Sequence, residues 1–391
     1  MGQFRFLTAG ESHGKGLVAI VEGMVADVPL GESYINKELK RRQQGHGRGA
    51  RMKIEDDRAQ ILAGVRFGLT MGSPIGLFIT NRDWKNWQEQ MSISPIEEEA
   101  GSVTCPRPGH ADLAGVTKYG LKDIRPIMER ASARETAARV AVGAIARRFL
   151  EEMGVVIRSH TTGIGQCHCQ RSAAISGSID WRKVEASPVR CAHARLEKAM
   201  MAAIDEAKGK GDTLGGVFEV IAAGVPIGLG SHVSWDRRLD GRIARAIMSI
   251  NAVKGVEIGT GFASACLRGS EVHDVIELKP HSKAKGLPWR HVTNRAGGIE
   301  GGISNGEDII VRAAVKPIAT LVDSLPSIDL QGRKAAKGHY ERSDVCVVPA
   351  AGAIGEAMLA IVLADACLEK FGGDNLKETL ANYRNYLSNI S

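Results

Sequence analysis

Aromatic residues make up 5% of the 391-residue chain, and no apolar run is both long and uninterrupted enough to suggest a membrane span. The most apolar stretch, 350–366, is broken by Glu356 and Asp365, which predicts a buried helix. Cysteines are few, odd in number and scattered (105, 167, 169, 191, 266, 346 and 367). That usage excludes a disulfide framework and predicts a reduced, cytoplasmic protein. The opening residues MGQFRFLTAGESHG lack the basic start, apolar middle and small-residue cleavage site of a secretory signal. Neither G-x-x-x-x-G-K-[ST] nor a complete G-x-G-x-x-G occurs, which argues against a P-loop ATPase and a Rossmann dehydrogenase. A Pro/Ser-rich linker and a repeat of fixed period are also missing, so residues 1–391 read as a single domain.

What is present suffices for a packed interior. Hydrophobic residues make up 43% of the chain, which rules out disorder as the main state. Apolar β-rich runs predict strands at 4–8, 17–21, 61–65, 75–80, 155–157, 217–221 and 308–315. Helical periodicity predicts helices at 33–42, 132–153, 195–208, 239–250 and 350–371. The alanine-rich second helix suits close packing against other helices.

The net charge of +7 is mild, and its placement says more than its sum. Residues 37–53 (KELKRRQQGHGRGARMK) hold seven Lys/Arg and one acid. Such a run fits a solvated helix face leading into a loop. It equally fits an anion-binding loop, because Gly45, Gly47 and Gly49 let backbone N–H groups close on a ligand and arginine forks match phosphate and carboxylate. A polyanion such as RNA is the alternative ligand for this loop, although the lack of aromatics in it weakens a stacking mode.

Several short patterns could carry chemistry. Gly10-Glu11-Ser12-His13-Gly14 matches G-x-S-x-G, but nine preceding residues cannot build the hydrolase scaffold that pattern requires, which leaves His13 as an accessible turn histidine. Ser132 and Glu135 form a capping-box pattern and predict a helix start. Arg130 and Arg134 would flank it, either as an anion site or as partners of Glu129 and Glu135. Arg107 and His110 share a proline-stiffened loop, and Arg342 precedes Asp344 by two residues. Asn294–Gly306 is rich in glycine, which serves turns or a close approach of backbone to ligand. Cys167-His168-Cys169, near His160 and Cys191, lacks the second pair of a structural zinc site, so no metal is expected. The stretch 160–191 reads as a variable insertion.

Taken jointly, GESHGKGLVAIVEGMV (10–25), ERASARETAARVAVGAI (129–145) and RSDVCVVPAAGAIGEAML (342–359) resemble the chorismate synthase family. GHGRGARMKIEDD, SPIGLFITNRDWKNW, RPGHADLAGVTKYG and GGISNGEDIIVRAAVKPIAT are similar to it as well, and the likeness runs from Phe6 to about Glu369. The resemblance implies an α/β layered sandwich with a helical core between two antiparallel β-sheets, assembled as a homotetramer. It implies a lyase that converts 5-enolpyruvylshikimate 3-phosphate to chorismate and phosphate by 1,4-anti elimination. That reaction needs reduced FMN, has no net redox change, and involves neither nucleic acid nor membrane.

By the same resemblance, His13 would protonate the departing phosphate, His110 would protonate or stabilise the reduced flavin near N1, and Asp344 would serve a proton at N5. Ser12, Arg42, Arg48, Arg51, Arg107, Arg134 and Arg342 would bind the substrate's phosphate and two carboxylates. FMN would be held by Arg130, Ala131, Ser132, Asn251, Ala252, Gly301, Lys316, Pro317, Ile318, Ala319, Thr320 and Arg342. The chain departs from the family pattern at Ala131, where serine is common, at Ser343, where histidine is common, and at Ala319. NADPH is not among the expected cofactors.

Overall fold

The computed structural model describes residues 4–49, 54–95, 101–168, 179–279 and 287–390. Strands Arg5–Ala9 (β1), Gly16–Glu22 (β2), Ala59–Ala63 (β3) and Ile75–Thr80 (β4) form one sheet in the order β1-β2-β4-β3. Strands Val156–Ile164 (β5), Cys167–His168 (β6), Gly216–Ala223 (β7), Val253–Ile258 (β8) and Ile309–Val315 (β9) form a second, in the order β8-β9-β7-β5-β6. All pairings within both sheets are antiparallel. In β2, Leu17, Ala19 and Val21 are buried while Val18, Ile20 and Glu22 face out, the period-two pattern of a sheet covered on one side. Over the last six residues of β5, 159–164, burial runs without alternation, so that sheet is covered on both faces there.

Eight helices matter here: Glu32–Gln43 (α1), Asp112–Tyr119 (α2), Arg125–Ala131 (α3), Thr136–Glu152 (α4), Ala194–Gly209 (α5), Leu239–Met248 (α6), Val348–Phe371 (α7) and Leu376–Ser388 (α8). Helix α4 packs on β1, β2 and β4 of the first sheet and on α1; α7 packs on β5 and β7 of the second. The two helices also pack on each other more extensively than any other pair of elements. Both are apolar or small around nearly their whole circumference, as helices buried on all sides must be. Gly143 permits the contact, because a Cβ there would stand 2.3 Å from Ala357 Cβ and 2.6 Å from its Cα. Gly143→Ala is therefore expected to lower stability by about 1–3 kcal/mol despite its better helix propensity, read as a reduced Tm. An unchanged Tm would mean that the two helices can move apart freely.

Helix α7 is long and apolar enough to cross a membrane by length and composition, yet nearly all of it is buried inside the protein. Both of its polar interruptions are satisfied there. Asp365 accepts the Phe4 N–H at 3.0 Å and pairs with Arg242, and Glu356 is held by arginines.

The elements expected from periodicity are present, with their ends moved by a few residues. Three expectations need correction. The helix expected from Ser132 starts at Thr136: Ser132 ends α3 and caps a single 3-10 turn, Ala133–Glu135, accepting the Arg134 N–H at 3.3 Å. Arg130 thus lies in the last turn of α3, where the helix dipole is negative, and not at a helix N-terminus. The stretch 160–191 is not wholly an insertion, since its first residues complete β5 and His160 is buried against Glu219 at 3.0 Å. The basic run is not a solvated face throughout. Lys37 and Lys40 face out, but Arg41, Arg42 and Arg48 turn inward onto carboxylates.

Candidate active site

The tight connection between β1 and β2 carries Ser12 and His13, and three elements fix it. Asn81, directly after β4, donates its amide to the carbonyls of Glu11 at 3.0 Å and Gly14 at 2.7 Å. Glu129 on α3 accepts His13 Nδ1–H at 2.8 Å and the His13 main-chain N–H at 2.7 Å, while its own carbonyl accepts the Ser12 N–H at 3.1 Å. The Trp87 indole stacks on the His13 ring with centroids 3.9 Å apart, so the turn histidine expected to be accessible is in fact buried. A carboxylate can only accept, so Nδ1 carries the proton of this bond and Nε2 becomes the imidazole's working nitrogen. Ser132 Oγ donates to Ser12 Oγ at 3.0 Å, which places the α3–α4 junction beside the same turn.

Beneath this turn lies a buried cluster of arginines and carboxylates. Arg134 binds Asn81 Oδ1 through Nε at 2.9 Å, pairs with Glu55 at 3.3 Å and contacts Asp57. Arg42, at the end of α1, reaches Asp57 and Thr136 Oγ1 at 3.0 Å and the Ala133 carbonyl at 2.9 Å. Arg48 pairs with Asp344 at 2.8 Å, and Asp344 also accepts the Gly49 N–H at 2.5 Å. Burial, together with the charges of Arg48 and Arg134, pushes the Arg42 guanidinium down to about 10, against the pull of Asp57 and Asp344. Three guanidinium groups thus stand close together in one buried cluster, each paired with a carboxylate, and such a concentration of fixed cations suits a polyanionic ligand.

The second histidine has an arrangement parallel to the first. His110 Nδ1 contacts Asp112 Oδ1, and Asp112 also binds Arg107 Nε at 2.8 Å. Burial alone would raise the Asp112 pKa, but the bonds from His110 and Arg107 hold it well below the usual carboxylate range. Arg107 Nη1 also reaches Thr320 Oγ1 at 3.4 Å, and Lys316 Nζ donates to the Gly109 carbonyl. Glu341 links the two histidine regions: it pairs with Arg125, which lies 3.5 Å from Glu129, and stands 4.0 Å from Arg107. Against the upward push of burial, hydrogen bonds from His339 and Arg125 and the nearby Arg107 bring Glu341 down to about 2.

The residues expected to hold FMN fall into two places. Asn251 Nδ2 donates to the Ala131 carbonyl at 2.9 Å, and the Lys316 N–H donates to the Ala252 carbonyl at 2.9 Å. These bonds join 130–132, 251–252 and 316–320 into one neighbourhood beside the His110 loop. Ala252 keeps a left-handed φ of 66° there. Arg130 is exposed and binds the Thr8 carbonyl of β1 and the Gly10 carbonyl just beyond it. Pro317, Ile318 and Ala319 continue the Lys316 loop, and Thr320 is buried at its end. Gly301 lies elsewhere. Its turn adjoins the N-terminus of α6 through the Gly302 carbonyl and the Leu239 N–H, whereas Asn251 follows the C-terminus of that ten-residue helix, roughly 15 Å along it. Arg342 is exposed, and Arg51 lies outside the described residues, as does Cys169 of the Cys/His pattern.

Sequence reasoning did not single out Asn81, Asp57, Glu55, Trp87, Asp112, Arg125 or Glu341, and it gave Glu129 no role in holding His13. A polar Asn directly after the apolar run 75–80 and the three acids of KIEDD were the available signals.

A profile of the chorismate synthase family matches residues 4–368. Chorismate synthase from Moorella thermoacetica is 57% identical, covering 99% of this chain and all of the relative. The Aquifex aeolicus chorismate synthase is 54% identical, covering 99% of this chain and 98% of the relative. A solved structure described as a crystal structure of chorismate synthase superposes with a TM-score of 0.79 at 45% identity, covering 99% of this chain and 98% of that one. A match of this breadth, on a chain whose two turn histidines stand in one network of arginines and carboxylates, shows that the chain belongs to the chorismate synthase family.

Proposed function

We propose that the chain catalyses the 1,4-anti elimination of phosphate from 5-enolpyruvylshikimate 3-phosphate to give chorismate, with reduced FMN bound and no net redox change. The observation that carries this reading is the joining of His13 and His110, through Glu129, Arg125, Glu341, Arg107 and Asp112, beside the crowded Arg42, Arg48 and Arg134. The substrate's phosphate and two carboxylates are the kind of polyanion a cluster of guanidinium groups can receive. With Nδ1 held by Glu129, His13 delivers its proton from Nε2 to the leaving phosphate oxygen, which eases C–O cleavage. Ser12 orients that phosphate, and the substrate arginines Arg42, Arg48, Arg51, Arg107, Arg134 and Arg342 neutralise the developing charge. His110, with Nδ1 held by Asp112, presents Nε2 on the flavin side.

The residues present fit the cofactor. Asn251 Oδ1 is buried without a hydrogen-bond partner, an acceptor suited to a ring N–H. Among the described residues no carboxylate pairs with Lys316, whose pKa is lowered by burial and by the charge of Lys254, and a phosphate would relieve both effects. When bound, reduced flavin supplies the electron-rich ring that assists departure of the substrate hydrogen. Asp344 is fixed by Arg48 and the Gly49 N–H, so its carboxylate can hold a proton at one defined place.

Anaerobic incubation with reduced FMN and 5-enolpyruvylshikimate 3-phosphate should release phosphate and chorismate; no release under those conditions overturns the reading. Asp344→Asn is expected to leave FMN fluorescence quenching intact while slowing elimination by about two decades. Loss of flavin binding with normal turnover would reverse its role. We place the chain in the cytoplasm, acting on a small molecule with no nucleic acid or membrane partner, as a single domain with its helical core between the two sheets. The contacts of α4 with one sheet and α7 with the other support the layering. A homotetramer is the assembly we propose, and the exposed Leu7, Val18, Ile20 and Leu62 on the first sheet give an apolar face suited to one of its interfaces.

A further inference from the structure

Glu129 is not among the residues expected to bind substrate or flavin, and its geometry is that of a residue acting through another. Its side chain is 1% exposed, and its two oxygens are divided between two donors of the same residue: Oε1 takes His13 Nδ1–H and Oε2 takes the His13 main-chain N–H. The ring is further clamped by Trp87, over whose face the Arg125 guanidinium lies at 5.2 Å. Arg125 stands 3.5 Å from Glu129 Oε1 and is tied to Glu341. Asp112 repeats the arrangement at His110, again at Nδ1 and again wholly buried.

We infer that Glu129 is the positioning residue of His13: it fixes the Nδ1–H tautomer and so makes Nε2 the atom that gives and regains the proton. The inference rests on the proposed elimination for its kinetic consequence, but its structural content stands alone. A carboxylate is required because both donors must be accepted at once. In Glu129→Gln one of them must face an NH2 group. If the amide oxygen keeps the main-chain N–H, the NH2 confronts Nδ1 and drives the imidazole to the Nε2–H tautomer. The charged groups bearing on His13 are Glu129 directly and Arg125 with its partner Glu341 behind Trp87.

The test uses the full-length protein with 15N-labelled histidine. In the parent, neutral His13 should show a protonated Nδ1 and a bare Nε2, and Glu129→Gln should shift it toward the opposite tautomer. With FMN and substrate, the variant should lose roughly 100-fold or more in kcat with KM changed less than about threefold, as when a triad aspartate is amidated. A parent His13 in the Nε2–H form overturns the inference even if the variant does not fold. So does a variant with an unchanged tautomer and kcat within twofold. If the parent shows the expected tautomer but releases no phosphate, the proposed reaction falls while the positioning role stands.

Discussion

Replacing His13 with alanine is expected to slow phosphate release by roughly two to four decades, the range for loss of a general acid. The His13 side chain is 10% exposed, held by Glu129 and covered by Trp87, so water cannot readily take its place at the same angle. Flavin binding should survive, because the Ala131–Asn251 and Ala252–Lys316 bonds do not involve the turn. Single-turnover phosphate release separates the two effects. Release within twofold of the parent would remove His13 from the mechanism and leave the arginines as the source of leaving-group stabilisation.

The largest stability effect is expected at Glu356. This α7 carboxylate is 1% exposed and accepts from Arg41 at 2.7 Å, Arg147 at 2.6 Å, Arg190 at 3.2 Å and Ser159 at 2.6 Å. Glu38 and Glu185 balance the other arginine charge. Glu356→Gln keeps the volume but leaves three buried guanidinium groups short of one negative charge, which should cost about 3–5 kcal/mol. The pH dependence follows with a definite sign. Burial pushes the Glu356 pKa up, but Arg41, Arg147 and Arg190 more than reverse this and hold it well below the usual range. Glu341 is brought from 4.5 to about 2. A carboxylate with a depressed folded pKa contributes stability that is complete above its unfolded value and is lost as pH falls toward the folded one. Denaturant midpoints should therefore hold above about pH 5 and fall steadily toward pH 2, and the Glu356→Gln curve should be flatter. A parent midpoint unchanged down to pH 3 would show that these pairs add nothing to folding.

Much of the scaffold could be read from the sequence because it depends on local pattern. The apolar run 75–80 is strand β4, and the run 350–366 lies within α7, its two acids met by arginines rather than by a membrane surface. The short β8 and the helices α2, α3 and α8 had no comparable run, and tertiary packing specifies them. At the site, residue types were legible while partnerships were not. Arg134 and Asp57 meet across 77 residues, and His13 and Glu129 across 116, so no spacing rule connects them before the sheet register does. Resemblance named Arg42 and Arg134 as substrate ligands, and the fold adds that both are already bound to Asp57. Their contribution to substrate binding is thus charge delivered through a fixed scaffold as much as direct contact. Gly301 shows the converse, because family pattern groups it with Asn251 while the fold sets the two at opposite ends of α6.

The most direct measurement is a crystal structure of the protein with FMN and 5-enolpyruvylshikimate 3-phosphate bound. The substrate phosphate should lie about 3 Å from His13 Nε2, with Arg48 close by and His110 on the flavin side of the ring. A phosphate seated away from the Ser12–His13 turn, with His13 facing solvent, would contradict the assignment of the two histidines to opposite ends of one bound pair.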